Sequence, residues 1–166
     1  MSEKTSALRM ARYNSWQNNA MISAANQLPM RERQRDFGTF FKSIEATFSH
    51  LYWADQTWLA RFGVGAPLGL GLPESTGLIH DWDLFQSDRQ ALDQQIFDWV
   101  EGLDETWFSG TLSWYSGALG RDMVRPHAQV LAHIFNHQTH HRGQIHAMLS
   151  MAGVNSGVTD LAFMPE

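Results

Sequence analysis

The sequence predicts an all-α protein in which four long helices form a four-helix bundle. Four stretches place apolar residues at steps of three and four, which is the spacing of a buried helical face. Segments rich in Gly, Pro and Ser separate these stretches. The length of 166 residues, with 43% hydrophobic and 17% charged residues, fits one ordinary globular core. We therefore expect a single domain that spans residues 1–166.

The first two predicted helices provide an outer wall of the bundle and a row of candidate functional positions. The first runs from about Lys4 to Gln27, and Pro29 lies just beyond its end. The second runs from about Asp36 to Phe62 and has the clearest apolar face, which begins with Phe37, Phe40 and Phe41. Beside that face lies a row that is small or polar apart from one imidazole, and such a row could line a cavity: Ser43, Thr47, His50, Ala54 and Thr57.

Two further helices follow a glycine-rich segment. Residues 63–77 lack the Gly-Lys-Ser/Thr ending of a phosphate-binding loop, so they are interpreted as a connection. The third helix is predicted from about Asp83 to Trp107, and a loop or short hairpin follows around Ser116 to Gly120. The fourth runs from Pro126 to about Ala152. The core positions predicted for the third helix are Leu84, Ala91, Ile96, Trp99, Val100 and Leu103.

Charge and composition exclude several classes of partner. The net charge is −5 and no run of Lys or Arg occurs, so neither nucleic acid nor anionic lipid is an expected partner. No apolar run approaches the roughly 20 residues that a membrane-spanning helix needs, and the first residues lack the apolar stretch of a signal peptide. A cytoplasmic location is therefore expected. Because the chain has no cysteine, any thiol in its chemistry must come from another molecule.

The fourth helix contains most of the residues that indicate a chemical function. Five of the eight histidines lie between His133 and His146. At about 100° per residue, His137 and His141 fall within the inward apolar stripe of this helix. Two imidazoles one turn apart can bind the same metal ion, and burying them without a metal would require separate hydrogen-bond partners for each. The stripe consists of Val130, Ile134, Ile145 and Met148.

A third ligand is expected from another helix, and His50 is the best candidate because small side chains flank it. Three neutral imidazoles would leave at least one coordination position open for water or substrate. The fourth helix has no carboxylate between His127 and Gly153, which argues against a di-metal carboxylate site and against a metalloprotease with an adjacent glutamate base. His140 is the first substitute if the helix phase differs; the less favoured histidines are His80, His127, His133 and His146.

Four segments of the chain resemble the DinB family, the DinB/YfiT-like group of small metalloenzymes, and the resemblance covers most of the chain. They are ARYNSWQNNAM near the start, SHLYWADQTWLARF around His50, FNHQTHHRGQIHAMLSMAG around His137 and His141, and the ending GVNSGVTDLAFM. The resemblance implies a four-helix bundle in which these three histidines bind one divalent metal ion per chain, most often nickel or zinc. It also implies a homodimer. The ligands that it implies are the three that spacing had selected.

The resemblance leaves the reaction open, because the family includes thiol-dependent S-transferases and a thiol-dependent isomerase. Our first hypothesis is a metal-dependent enzyme that acts on a small molecule, either as an S-transferase using a low-molecular-weight thiol or as a hydrolase. The catalytic group would be a water or thiol activated by the metal. The alternatives are a non-catalytic small-ligand or interaction protein stabilised by metal, and a purely structural metal. Polar groups that could orient the imidazoles are Asn14, Asp55, Gln138 and Gln144.

Overall fold

A computed structural model describes residues 2–166 and shows a mostly helical protein with one small β-hairpin. Three of its helices lie near their predicted positions. Two antiparallel strands between the third and fourth long helices make the all-α prediction incomplete. The helices are α1 (Glu3–Ala25), α2 (Met30–Arg33), α3 (Ile44–Arg61), α4 (Trp82–Gly102) and α5 (His127–Met151), and the strands are β1 (Thr111–Ser116) and β2 (Arg121–Pro126).

The prediction that the second helix starts near Asp36 is wrong, because α3 begins only at Ile44. Ser43 caps this helix, since its hydroxyl accepts a hydrogen bond from the backbone N–H of Ala46. Before the cap, Lys42 has a positive φ of 68°, which no α-helix accommodates. Phe40 is consequently 78% exposed rather than part of the core. Phe37, Phe40 and Phe41 have the spacing of a helical face, but the backbone at these residues is not helical.

The third predicted helix also differs at its end and in its core positions. Asp81 caps α4 by accepting hydrogen bonds from two backbone N–H groups, and the helix ends at Gly102 rather than at Trp107. A short 3₁₀ turn over Glu105–Ser109 follows. Three of the predicted core residues are buried, namely Ile96, Val100 and Leu103, whereas Leu84 and Ala91 are exposed and Trp99 is half-buried.

The hairpin confirms one of the two structures predicted for the segment around Ser116 to Gly120. Thr111 pairs with Pro126 at one end of the hairpin, and Ser116 pairs with Arg121 at the turn. The hairpin leads directly into α5 and contacts it. It therefore contributes side chains to the space beside the first half of α5.

The four long helices pack in pairs around two separate apolar clusters. α1 contacts α4 and α5, and α3 contacts α5 and α4. One cluster contains the second half of α1, the start of α3 and the end of α5, including Phe48, Ile145 and Met148. The other contains the opposite ends of these helices, including Leu59 and Ile134. None of the helices within residues 2–166 combines the length and the apolar character required to cross a membrane.

A layer of buried polar residues lies between the two apolar clusters, as their order along each helix shows. We call it the polar layer. On every long helix, at least one of its members lies between the residues of the first cluster and those of the second. Its members are Asn14, Gln17, Asn18, Asp55, Arg89, Asp93, Gln138 and Arg142, each at most 2% exposed.

Candidate metal centre

Three imidazoles from α3 and α5 meet in the interior. The Nε2 atom of His137 lies 3.3 Å from that of His50 and 3.1 Å from that of His141. His50 and His141 are buried, while His137 is half-buried. This group could hold a metal ion, because each residue offers a nitrogen and the three nitrogens lie within 4.8 Å of one another. The structure thus brings together the three histidines selected from the sequence.

The distances between the ring nitrogens fit a shared divalent ion. Nitrogen ligands about 2.0 to 2.1 Å from zinc, arranged tetrahedrally, lie about 3.3 to 3.4 Å apart, and ligands at right angles lie about 3.0 Å apart. The two observed Nε2–Nε2 distances, 3.3 and 3.1 Å, fall within this range. The donor set therefore suits either zinc or nickel, since imidazole binds both metals well.

The outer nitrogens of two of these rings have polar partners that define how the rings are oriented. Nδ1 of His141 donates to Oε1 of Gln144 at 2.9 Å, and Nδ1 of His50 lies 3.0 Å from the hydroxyl of Ser75. With Nδ1 protonated, Nε2 keeps a free lone pair that points into the cluster. Ser75 is fully buried and is held in place because the Ser49 hydroxyl donates to its carbonyl.

The cluster favours the neutral form of its histidines, which is the form that binds metal. Burial, followed by repulsion from His141, lowers the pKa of His50 from 6.5 to about 4. Burial, followed by repulsion from His141 and His50, lowers the pKa of His137 to about 3. Burial also lowers the pKa of His141. Protons therefore compete weakly with a metal ion at neutral pH.

One side of the cluster is covered by an aromatic ring. Phe41 stacks on His50 with ring centroids 4.1 Å apart, and it also contacts His141 at 5.2 Å. Phe41 precedes the cap of α3 and belongs to the segment that had been predicted as helix. This contact removes water from two of the three rings, which is consistent with the lowered pKa values.

The other side of the cluster opens into a cavity of about 860 Å³, within the size range of small-molecule sites. His50 and His137 lie in its wall. Ala54 and Thr57 also line it, as the row on the second predicted helix had suggested, but Ser43 and Thr47 do not. The hairpin supplies Trp114 and Met123, and the remaining apolar wall comes from Trp53, Trp58, Leu70, Leu72 and Val130. No carboxylate lines this cavity within the described chain.

The remaining histidines lie outside the group of converging nitrogens. His133 lines the cavity, and its ring lies 5.7 Å from that of His137 between centroids. His140 is exposed and contacts Gln144 at 3.3 Å. His127 stacks on Trp107, His146 contacts the Ser156 hydroxyl at 2.7 Å, and His80 is exposed. The cavity position of His133 was not anticipated, because the sequence placed it on or near the polar face of the helix.

Of the four residues expected to orient the imidazoles, only Gln144 does so. Asn14, Asp55 and Gln138 lie instead in the polar layer, where they contact buried arginines. Asp55 accepts from Arg89 at 2.8 Å, and both Asn14 and Gln138 accept from Arg142. Ser75 was missed entirely, because a hydroxyl in a connecting loop shows no periodic signal that would associate it with His50.

The polar layer fixes the rotation of α5 about its axis. Gln138 and Arg142 directly follow His137 and His141 in the sequence. Arg142 donates to Asn14 of α1 and to Gln138 of its own helix. Burial lowers the pKa of Arg142 only to about 10, so this side chain keeps its charge at neutral pH. Because a charged side chain must keep its polar partners, α5 is held with the two histidines facing α3.

Histidines on two packed helices, gathered beside an apolar cavity, define a helical protein with a candidate three-histidine metal centre. Its sequence matches the model of the DinB family over residues 1–166, and the chain belongs to the DinB family. It is 25% identical over 159 residues to Protein DinB of Bacillus subtilis (strain 168), with 93% of this chain and 90% of that protein aligned. No solved structure matches the chain. The resemblance to this family noted from the sequence is confirmed.

Proposed function

We propose that this protein is a metal-dependent enzyme whose four long helices form a four-helix bundle around one mononuclear centre. His50, His137 and His141 would hold one divalent ion per chain, with nickel or zinc preferred. The observation that carries this proposal is the convergence of three Nε2 atoms, with spacings of 3.3 and 3.1 Å, beside an open cavity. A closed structural site would need a fourth protein ligand, and no other His, Cys, Asp or Glu joins this group among residues 2–166.

The reaction class that fits this site is transfer or hydrolysis at a small molecule. A bound divalent ion would act as a Lewis acid that lowers the pKa of a coordinated water or thiol. The residues of the chain would orient the ligands through Ser75 and Gln144, exclude water through Phe41, and hold the substrate between the walls of the cavity. Any thiol must be external, because the sequence contains no cysteine.

A non-catalytic protein that binds metal and a small ligand is the alternative. The absence of a carboxylate from the cavity wall favours it, because a general base is then harder to identify among residues 2–166. The two functions differ in turnover and share the same metal ligands. We further propose a cytoplasmic homodimer of single-domain chains.

The metal centre is tested by elemental analysis of protein purified without an affinity tag. We expect about one ion per chain after loading with Ni²⁺ or Zn²⁺, and a loss of at least tenfold in affinity for His50→Ala, His137→Ala and His141→Ala. His80→Ala is the matched control, because His80 is exposed and outside the cluster. Circular dichroism confirms that each variant is folded. Stoichiometric metal retained by all three variants would rule out this centre.

Catalysis is tested on the same preparations. Two model reactions represent the two classes, namely conjugation of 2-mercaptoethanol to chlorodinitrobenzene and hydrolysis of 4-nitrophenyl acetate. An enzyme is supported by a rate above the uncatalysed reaction that disappears when metal is removed and in His137→Ala. Equal rates with and without metal, or no rate with either substrate, would favour the non-catalytic alternative.

A further inference from the structure

Arg61 lies in the wall of the cavity and has aromatic neighbours. It is the last residue of α3 and is half-buried. Its guanidinium carbon lies 4.2 Å from the ring centroid of Trp58 and 5.9 Å from that of Trp114. The two tryptophans touch edge to face at 5.4 Å between centroids. These contacts hold the guanidinium against one wall of the cavity in a fixed place.

The arginine has no anionic partner within the described chain. Arg33, which is half-buried, and Arg89, which is buried, each donate to a carboxylate at 2.8 Å, whereas no ion pair or hydrogen bond involves Arg61 among residues 2–166. Burial alone lowers its pKa, with no neighbouring acid to offset the effect. A partly desolvated cation without a counter-ion is unfavourable, and an anionic ligand would relieve that cost.

The rest of the cavity has the same electrostatic character. Arg125 is a second cation in its wall, and no aspartate or glutamate of the described chain lines it. A cavity that carries two arginines and no acid contrasts with the net charge of −5 of the whole protein. The two arginines therefore attract anions to the cavity whether or not a metal is bound.

We propose that the substrate is a small carboxylate with an aromatic or branched apolar body, and that Arg61 binds its carboxylate. A planar guanidinium can donate two parallel hydrogen bonds to a carboxylate. The apolar body would pack on Trp53, Trp58 and Trp114, and the end remote from Arg61 would face His50 and His137. Binding of the carboxylate depends on Arg61 and the tryptophans and does not require the metal. Only the reaction of the bound molecule rests on the proposed function.

Binding is tested with a matched pair of probes, 4-phenylbutyrate and 4-phenylbutanol, which share an aromatic body and differ in charge. The fluorescence of the tryptophans in the cavity wall reports binding. We expect metal-free protein to bind the carboxylate at least tenfold more tightly than the alcohol, and Arg61→Gln to lose this preference. Arg61→Lys, which keeps the charge but not the paired donors, should retain part of it.

Two controls separate this inference from the proposed function. Arg121→Gln makes the same charge change on the hairpin outside the cavity wall and should keep the preference. Arg61→Gln should bind Zn²⁺ with wild-type stoichiometry, which also shows that it is folded. Because the titration uses metal-free protein, failure of the wild type to load metal would refute the proposed function alone. Equal affinity for the two probes, or a preference that survives in Arg61→Gln, would refute this inference alone.

Discussion

At the scale of single residues, metal binding by the candidate centre depends on which nitrogen of each imidazole carries the proton. Ser75 and Gln144 approach the Nδ1 atoms of His50 and His141, at 3.0 and 2.9 Å, so the Nε2 atoms are the ones left to bind a metal. Hydrogen bonds of this kind fix both the tautomer and the ring orientation. The Ser75 hydroxyl is therefore a positioning group for His50 rather than a ligand.

We expect Ser75→Ala to weaken metal binding by about 10- to 100-fold, the usual cost of removing a group that orients a ligand. The His50 ring would lose its partner and could rotate or change tautomer. Competition with a chromophoric chelator measures the affinity. Thr76→Ala removes a hydroxyl from the next residue of the same loop, which makes no hydrogen bond to the cluster, and should bind as the wild type does. A Ser75→Ala affinity equal to that of Thr76→Ala would contradict this role.

The lowered histidine pKa values predict that the metal-free protein becomes less stable as the pH falls from about 6.5 towards 4. The pKa values of His50 and His137 are about 4 and 3 in the folded protein and near 6.5 in the unfolded chain. On acidification the unfolded chain binds these protons first, so stability present above the unfolded pKa is lost. The slope is at most about 1.4 kcal/mol per pH unit for each histidine.

Urea denaturation of metal-free protein between pH 7.5 and 4.5 measures this slope. Other groups titrate in the same range, so the comparison is with the double variant His50→Gln, His137→Gln, which lacks both imidazoles. We expect its free energy of unfolding to depend less steeply on pH than that of the wild type. Identical slopes for the two proteins would show that these imidazoles do not carry the effect.

At the scale of elements, α1, α4 and α5 are tied together through the carboxylate of Asp93. This group accepts hydrogen bonds from Asn14 and Asn18 on α1 and from Arg89 on its own helix, with distances between 2.8 and 3.2 Å. The same two asparagines accept from Arg142 of α5. The Asp93 carboxylate thus orients the two asparagines that bind Arg142 of α5.

We expect Asp93→Ala to destabilise the protein by about 3 kcal/mol, the lower end of the usual cost of breaking a buried ion pair. Arg89 would keep Asp55 but lose its second carboxylate. Asp98→Ala is the matched control on the same helix, because Asp98 is exposed, and it should change stability by less than about 0.5 kcal/mol. Urea denaturation compares the two, and a similar small loss in both would show that the polar layer contributes little.

The element boundaries show which signals the sequence contains and which it lacks. The apolar stripe of α5 was predicted correctly, because all four of its members are buried and their spacing alone fixes the direction of His137 and His141. The start of α3 was predicted wrongly, because the phenylalanines before it have helical spacing although a positive φ at Lys42 interrupts the helix. Arg89 and Asp93 were also overlooked, since an ion pair four residues apart resembles a solvated surface pair until the packing of four helices is known.

At the scale of the whole molecule, a metal ion would join α3 to α5, which are far apart in sequence. The two helices carry His50 and the His137–His141 pair, and a metal held by both would stabilise the folded state by mass action. At a free metal concentration about 100 times Kd, this contribution is about 2.7 kcal/mol. For a chain of this size, that corresponds to an increase in Tm of roughly 5 to 11 °C.

Thermal unfolding with and without Ni²⁺ or Zn²⁺ tests this expectation. The wild-type Tm should rise with metal concentration, and the Tm of His137→Ala should not respond to the metal. His80→Ala should respond as the wild type does. A metal-dependent increase that persists in His137→Ala would place the stabilising ion elsewhere in the protein.

The polar layer also limits how far the helices can slide past one another along their axes. If α5 slid along α1 by one turn, about 5.4 Å, Arg142 would lose at least one of its two asparagine partners and move towards apolar surroundings. The cost of stranding a cation there opposes the slide more strongly than contacts among Leu, Ile and Phe, which can interchange with little loss. The same obstacle keeps His137 and His141 level with His50, so hydrogen bonds between α1 and Arg142 help to keep the three imidazoles aligned.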